Sequence, residues 1–203
     1  MAVTGIKDSV LQIANIAHVY QADVDTKPLD FDSYKFNNGA PVDDWHWIGD
    51  ISAENILEIS SDGGEVTMKR THDRMSARPL REGETITLTI NSLNISEDTF
   101  NLGWTGVTTD SSGLIKIGTN ASAVQKALCV VIEDTEGTGG AYFPNTSIKG
   151  SFPVFDLENF TEIPLTCSVL GSYTQVTDGG PMAYGFYSPK PKTTSGSSAG
   201  ATS

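Results

Sequence analysis

The chain has 203 residues, 38% of them hydrophobic and 19% charged, which is enough to bury one core within one domain. Its net charge of -12 leaves no electrostatic footprint for gripping a nucleic-acid backbone, which requires an excess of Lys and Arg. No apolar run approaches the length of a membrane span, and the amino-terminal stretch, broken by Lys7 and Asp8, lacks a signal-peptide layout, so the expectation is a protein made and kept in a cytosol.

Residues 1–16 form an arm that reads equally as an amphipathic helix, through Ile6, Val10, Ile13 and Ala17, or as an extended segment. A strand is predicted over 17–24. The polar connection 25–44, with Pro28, Asn37-Asn38-Gly39 and Pro41, can be pinned to the body by Phe31, Tyr34 and Phe36, and is a candidate interaction loop. Trp45, Trp47, Ile48 and Ile51 begin the core, followed by Ile56, Leu57 and Ile59, and Asp62-Gly63-Gly64 turns the chain into the next strand.

Two period-2 runs follow. Val66 and Met68 alternate with Thr67 and Lys69, and Ile86, Leu88 and Ile90 alternate with Thr85, Thr87 and Thr89. The intervening residues, 70–83, are too many for a tight hairpin turn and contain Pro79, so they read as a long loop, a feature that in compact domains is usually functional or disordered. Ser96 caps a short helix whose first turn holds Glu97 and Asp98 and whose stop is Gly103.

Thr109-Asp110-Ser111-Ser112-Gly113 is a turn leading to a short strand at Leu114, Ile115 and Ile117. The run 124–133 is apolar on both faces and belongs in the middle of the sheet, with the helix as one cover. Residues 136–140 read as a glycine-rich turn lacking the Lys and the Ser or Thr of a phosphate loop. An irregular loop carrying Phe152, Phe155 and Phe160 precedes a closing strand through Ile163, Leu165, Cys167 and Val169, and a polar tail at 189–203 is expected to be flexible.

The charge is unevenly placed. Residues 1–65 hold 12 carboxylates against 3 lysines, a net of -9, whereas 66–82 hold Lys69, Arg70, Arg74, Arg78 and Arg81 against Asp73 and Glu82, a net of +3. Every arginine of the chain lies in that segment, and these five cations are the candidate inter-subunit contacts, because a guanidinium fork binds carboxylates at two points and tolerates partial burial. A solvated, solubilising loop is the alternative.

No catalytic constellation emerges. His18, His46 and His72 are scattered, no Cys-x-x-Cys occurs, and the Asp23/Asp25 and Asp30/Asp32 pairs lack the glycine and terminal glutamate of a calcium loop, so neither metal nor cofactor is expected. No nucleophile elbow or dinucleotide turn supports an enzyme. Cys129 and Cys167 sit in apolar runs, either as two buried reduced thiols or as a disulfide between neighbouring strands. Trp45, Trp47 and Trp104 read as fillers of the core margin rather than a sugar platform.

The expected fold is mainly β, an antiparallel β-sandwich or barrel spanning 17–188 with one short packed helix and long interaction loops. The strand ETITLTINSL followed by the helix SEDTFNLGW, then AYFPNTSIKG with its aromatic-Phe-Pro-Asn turn and the late strand EIPLTCSVLGS, resembles the major tail tube proteins of long-tailed, non-contractile bacteriophages. That resemblance covers roughly 45–170 and rests on order and spacing. It implies a structural virion protein that closes into rings, commonly hexameric, around an inner β-barrel. The rings stack into a tail tube that conducts the genome without binding it specifically. It further implies tape-measure and tail-terminator partners and assembly in the bacterial host cytoplasm. A carbohydrate- or cell-binding β-sandwich of a virion or adhesin, and a secretion-tube subunit, are the competing readings.

Overall fold

A computed structural model describes residues 16–191 except 32, 54–56, 65, 72–73, 82, 134–136, 154, 156–157 and 159, and describes 66–71, 74–81 and 189–191 by backbone alone. In chain order the elements are β1 (Ile16–Ala22), β2 (His46–Trp47), β3 (Glu58–Gly63), β4 (Val66–Thr71), β5 (Arg74–Arg81), β6 (Glu84–Ser92) and α1 (Glu97–Gly103). They continue with β7 (Thr108–Thr109), β8 (Ile115–Lys116), β9 (Val124–Glu133), β10 (Gly137–Gly150), β11 (Ile163–Val169), β12 (Val176–Thr177), β13 (Gly180–Pro181) and β14 (Gly185–Pro191). The architecture is mainly antiparallel β with one short helix, as the sequence predicts.

The principal sheet runs β2-β1-β9-β10-β11-β6-β3, with β14 also on β10. β10 has β9 along one edge; along the other it pairs with β14 over residues 137–142 and with β11 over residues 146–150. The sheet therefore forks where the register with β9 shifts, between Phe143 and Thr146. Pro144 sits in that shift, where a residue without an N–H leaves no ladder position empty. The Phe-Pro-Asn sequence is thus the bulge of a long strand and not a turn. Likewise the glycines at 137–140 are strand residues: a Cβ at Gly140 would run into the Val130 carbonyl and come within 2.7 Å of the Phe31 ring.

Residues 46–52 draw the sheet's ends together. β2 pairs with β1, the Ile48 N–H donates to Val19 O (3.0 Å), Ile51 bridges to Ser92 of β6, and the Leu93 N–H donates to Asp50 O (2.9 Å). One short segment thereby spans from β1 to β6 and rolls the sheet toward a barrel. Inside the curve lies a cluster containing Val19, Leu88, Ile90, Leu128, Val130, Phe143, Ile148 and Leu165, covered by Phe100 and Leu102 of α1. On the other face Ala127, Cys129 and Val131 of β9 pack with Tyr20, Leu29, Phe31, Tyr34, Trp45 and Tyr142. The run 124–133 is hydrophobic on both faces because both are covered, by the helix and by the segment 25–45.

The helix begins as predicted. Ser96 is extended (φ -132°, ψ 161°), its Oγ accepts from the Thr99 N–H (3.3 Å), and Glu97 and Asp98 occupy the positive end of the dipole. It ends at Gly103, as predicted, with an extended Trp104 as its C-cap (φ -143°, ψ 143°), so the glycine is not there for a left-handed turn. Its role is proximity: a Cβ at Gly103 would stand 2.9 Å from Gly150 Cα and 3.1 Å from a Leu165 methyl.

Several boundaries differ from expectation. The segment 70–83 is no loop: β4 and β5 form an antiparallel ribbon that places Met68 opposite Pro79 and Lys69 opposite Arg78. Pro79 is tolerated because each strand of a two-stranded ribbon has one edge that no ladder uses. β3 is exposed along its whole length rather than core, and β11 is an interior strand rather than a closing one. β14 extends to Pro191, with Lys190 paired to Thr138, so the tail begins later than 189; its remainder and the arm at 1–15 lie outside the described residues.

Candidate assembly surfaces

The strand registers sort the connections into two ends of the sheet. At one end lie Gly63 and Glu84 (paired across β3 and β6), Val169, Glu133 and the starts of β1 and β10, together with Pro191. At the other lie Ser92, Ile163, Gly150 and the start of β9. The β4–β5 ribbon leaves β3 and returns into β6 at the first end, where Gly63 and Gly64 take positive φ (89° and 76°) to redirect the chain.

The structure places all five predicted contact residues on that ribbon. Lys69 and Arg70 are in β4, and Arg74, Arg78 and Arg81 are in β5. Lys69 is directly across from Arg78, Arg74 from Thr71 and Arg81 from Val66. Among the registered positions Lys69 and Arg78 are the one like-charged pair.

The sheet also leaves edges open. Among the described residues β3 pairs only with β6 and β14 only with β10. β14 displays Phe186, 65% exposed, with Tyr184 beside it at a ring-centroid distance of 5.4 Å, whereas Tyr187 on its alternate face stacks on Phe31 at 4.1 Å. The sequence reading passed over β14 because Tyr-Gly-Phe-Tyr-Ser between prolines carries no strong strand pattern.

The remaining candidates are structural. His18 stacks on Phe36 (3.9 Å between centroids) with its Nε2 3.9 Å from Glu133, and burial holds its pKa below the ordinary value. His46 is exposed, and His72 lies outside the described residues. Asp23 pairs with Lys126 Nζ at 2.8 Å, and Asp25 accepts from Ser172 Oγ (2.5 Å) and the Tyr173 N–H (3.0 Å), so these carboxylates fasten loops. Both thiols are free and buried, pushed up to about 12 by desolvation, which settles the cysteine alternatives in favour of small buried hydrophobes. A groove of about 400 Å³ lined by Gln21, His46, Trp47, Asp98, Asn101 and Lys126 holds both signs of charge, with its lysine already committed to Asp23. Among the described residues no group of His, Cys, Asp and Glu could hold a metal ion, and no helix is long and apolar enough to cross a membrane.

Comparison with known proteins shows that the model of the phage tail tube protein family matches residues 4–178, which takes in every element from β1 to β12. No curated protein matches the chain.

Proposed function

The chain belongs to the phage tail tube protein family, a structural family of the virion tail whose members assemble into a multi-subunit tube, and on that premise we propose how this subunit builds one. Copies close laterally into rings, of six by the family resemblance, and the rings stack. The observation that carries this reading is the pair of open strand edges. β3 and β14 each present a row of backbone groups with no partner among the described residues, and closure of a ring through neighbouring copies removes such edges.

Stacking uses the basic ribbon. Lys69, Arg70, Arg74, Arg78 and Arg81 dock on carboxylates of a copy in the adjoining ring, and a head-to-tail contact of this kind does not close on itself but propagates a filament. The chain's net charge of -12 suits a lumen that repels DNA and lets the genome slide through. Tape-measure and tail-terminator proteins then set where the tube stops, and assembly takes place in the host cytoplasm.

Sedimentation and negative-stain microscopy over a concentration series test the reading: rings and tubes are expected, and a monomer at every concentration and salt would overturn it. Arg74→Glu with Arg78→Glu tests the ribbon. Native circular dichroism without long tubes is expected, whereas tubes of normal length would leave the ribbon as solvated surface.

A further inference from the structure

Asn38-Gly39 is the one place in the chain where glycine follows asparagine. The two residues form the centre of a tight turn: both take positive φ (45° and 78°), and the Ala40 N–H donates to Asn37 O (2.9 Å). A left-handed turn selects this pair, because asparagine tolerates positive φ better than most residues and glycine adopts it freely. The same pair is the one most open to attack by its own backbone. The Asn38 Cγ is an amide carbon one five-membered ring closure away from the Gly39 nitrogen, and glycine has no side chain to obstruct the approach.

The surroundings single this bond out from its nearest rivals. The chain also has two Asp-Gly bonds, and in both the glycine N–H is engaged: Gly63 donates to Asp62 Oδ1 (2.9 Å) and Gly179 to Thr177 Oγ1 (3.3 Å). A carboxylate is moreover a far poorer electrophile than an amide. Asn91 and Asn145 are held in strands, and Asn94 and Asn101 are followed by bulky Ile95 and Leu102. Asn38 is exposed, and neither its side chain nor the Gly39 N–H has a hydrogen-bond partner among the described residues.

We propose that Asn38 is a self-modifying site, converting to aspartate and isoaspartate with water as the only co-reactant. The Gly39 nitrogen bonds to Asn38 Cγ, the Cγ–Nδ2 bond breaks, and ammonia leaves with the proton that the Gly39 nitrogen gives up. Water then opens the cyclic imide. Addition at Cγ restores the peptide bond and gives aspartate; addition at the Asn38 carbonyl carbon leaves Gly39 joined through Cγ, which is isoaspartate.

The two products act differently on the fold. Aspartate keeps the main chain and adds a carboxylate to residues 25–44, where 5 aspartates already face 2 lysines. Isoaspartate lengthens the main chain by one methylene at a turn with no slack. Gly39 lies against the Trp47 indole so closely that a Cβ would stand 2.6 Å from it, and Phe36, two residues before the turn's centre, meets Trp47 edge-on (5.4 Å) and stacks on His18 (3.9 Å).

The full chain, held folded at mildly alkaline pH and sampled over time, tests this by isoelectric focusing and peptide mass spectrometry. A band one charge more acidic should grow and map to residue 38, with only part of it open to an aspartate-specific protease. Asn38→Gly, which keeps the left-handed turn without the amide, should lose that band. An Asn38 amide that persists in the folded protein, whether or not the urea-unfolded chain converts, would overturn the assignment, as would a carboxylate arising first at another asparagine. Asn38→Asp separates charge from main-chain length: it should melt with the parent, while the aged isoaspartyl fraction melts at least about 2 °C lower. An isoaspartyl fraction that melts with the parent would overturn the strain placed on Trp47.

Discussion

Gly150→Ala should be among the most destabilising single-methyl changes in this protein. A Cβ built there meets three atoms of the Trp104 indole, the most distant at 2.7 Å, all inside van der Waals contact. The indole cannot simply step aside: it stacks on Phe100 at 5.3 Å and packs against the inner core cluster. The backbone cannot retreat either, because Gly103 is already so close that its own Cβ position lies 2.9 Å from Gly150 Cα. Overpacking of a filled site costs about 1–3 kcal/mol, and with both surfaces fixed the expectation is about 3 kcal/mol. For a chain of this length that lowers the melting temperature by roughly 6–12 °C. Urea unfolding followed by tryptophan fluorescence and circular dichroism measures it. Gly118→Ala serves as control, since nothing lies within 4 Å and its φ is not left-handed; it should change stability by about 1 kcal/mol at most, in the favourable direction. Shortening Trp104 to Leu in the Gly150→Ala background should recover part of the loss. A Gly150→Ala protein within about 0.5 kcal/mol of the parent, or a penalty unchanged by Trp104→Leu, would refute the close-approach reasoning.

Ser96→Ala removes the acceptor for the Thr99 N–H and should cost about 1 kcal/mol in the same unfolding assay, with Ser96→Asn restoring it. The buried thiols make stability fall in alkali. Their folded pKa of about 12 lies above the ordinary 9, so the contribution is complete below about pH 9 and is lost as pH rises from 9 toward 12; a melting temperature flat from pH 8 to pH 11 would contradict it. At pH 8 both should resist a thiol reagent until denaturant is added. Asp110 is held down to about 2, first by the Ser112 hydroxyl and then by Lys116, so its hold on the turn before β8 is present above its ordinary value near 3.8 and lost as pH falls toward 2; amide exchange at Ser112 and Leu114 that stays constant through that interval would sink the assignment.

Features fixed by near neighbours in the chain were legible in the sequence. The alternation of β6 (Leu88, Ile90 and Ser92 buried), the two-faced burial of β9 and the Ser96 cap each follow from residues within one strand or one turn. What escaped depends on distant partners. Gly140 looks like turn material until Phe31, over a hundred residues earlier, is seen against it. Pro144 looks like a turn until β14 and β11 are seen sharing one edge of β10. Pro79 argued for a loop because the ribbon's unused edge is invisible in one dimension. Of the candidate surfaces, the cluster of arginines could be read directly. The exposure of Phe152, Phe155 and Phe160 on the connection from β10 to β11 could not, since a phenylalanine in a loop is as often tucked under it.

The pairing of β1 with β9 sets a timetable. Val19 waits for Val130, and until that stretch is made β1 has only the two residues of β2 to pair with. At a synthesis rate of about 5–20 residues per second the wait lasts roughly 5–20 s, during which Ile-Ala-His-Val-Tyr is an open apolar strand. The same delay applies to α1, whose apolar face rests on strands that all follow it except β1 and β6. Of the two open edges, β3 meets its partner β6 once Ser92 is made, whereas β14 is completed only at Pro191, so closure of a ring through both edges waits for nearly the whole chain. Premature ring contacts between nascent chains are thereby suppressed by chain order, and the hazard is instead concentrated in one early strand, where a chaperone holding β1 would shield most of the exposed risk.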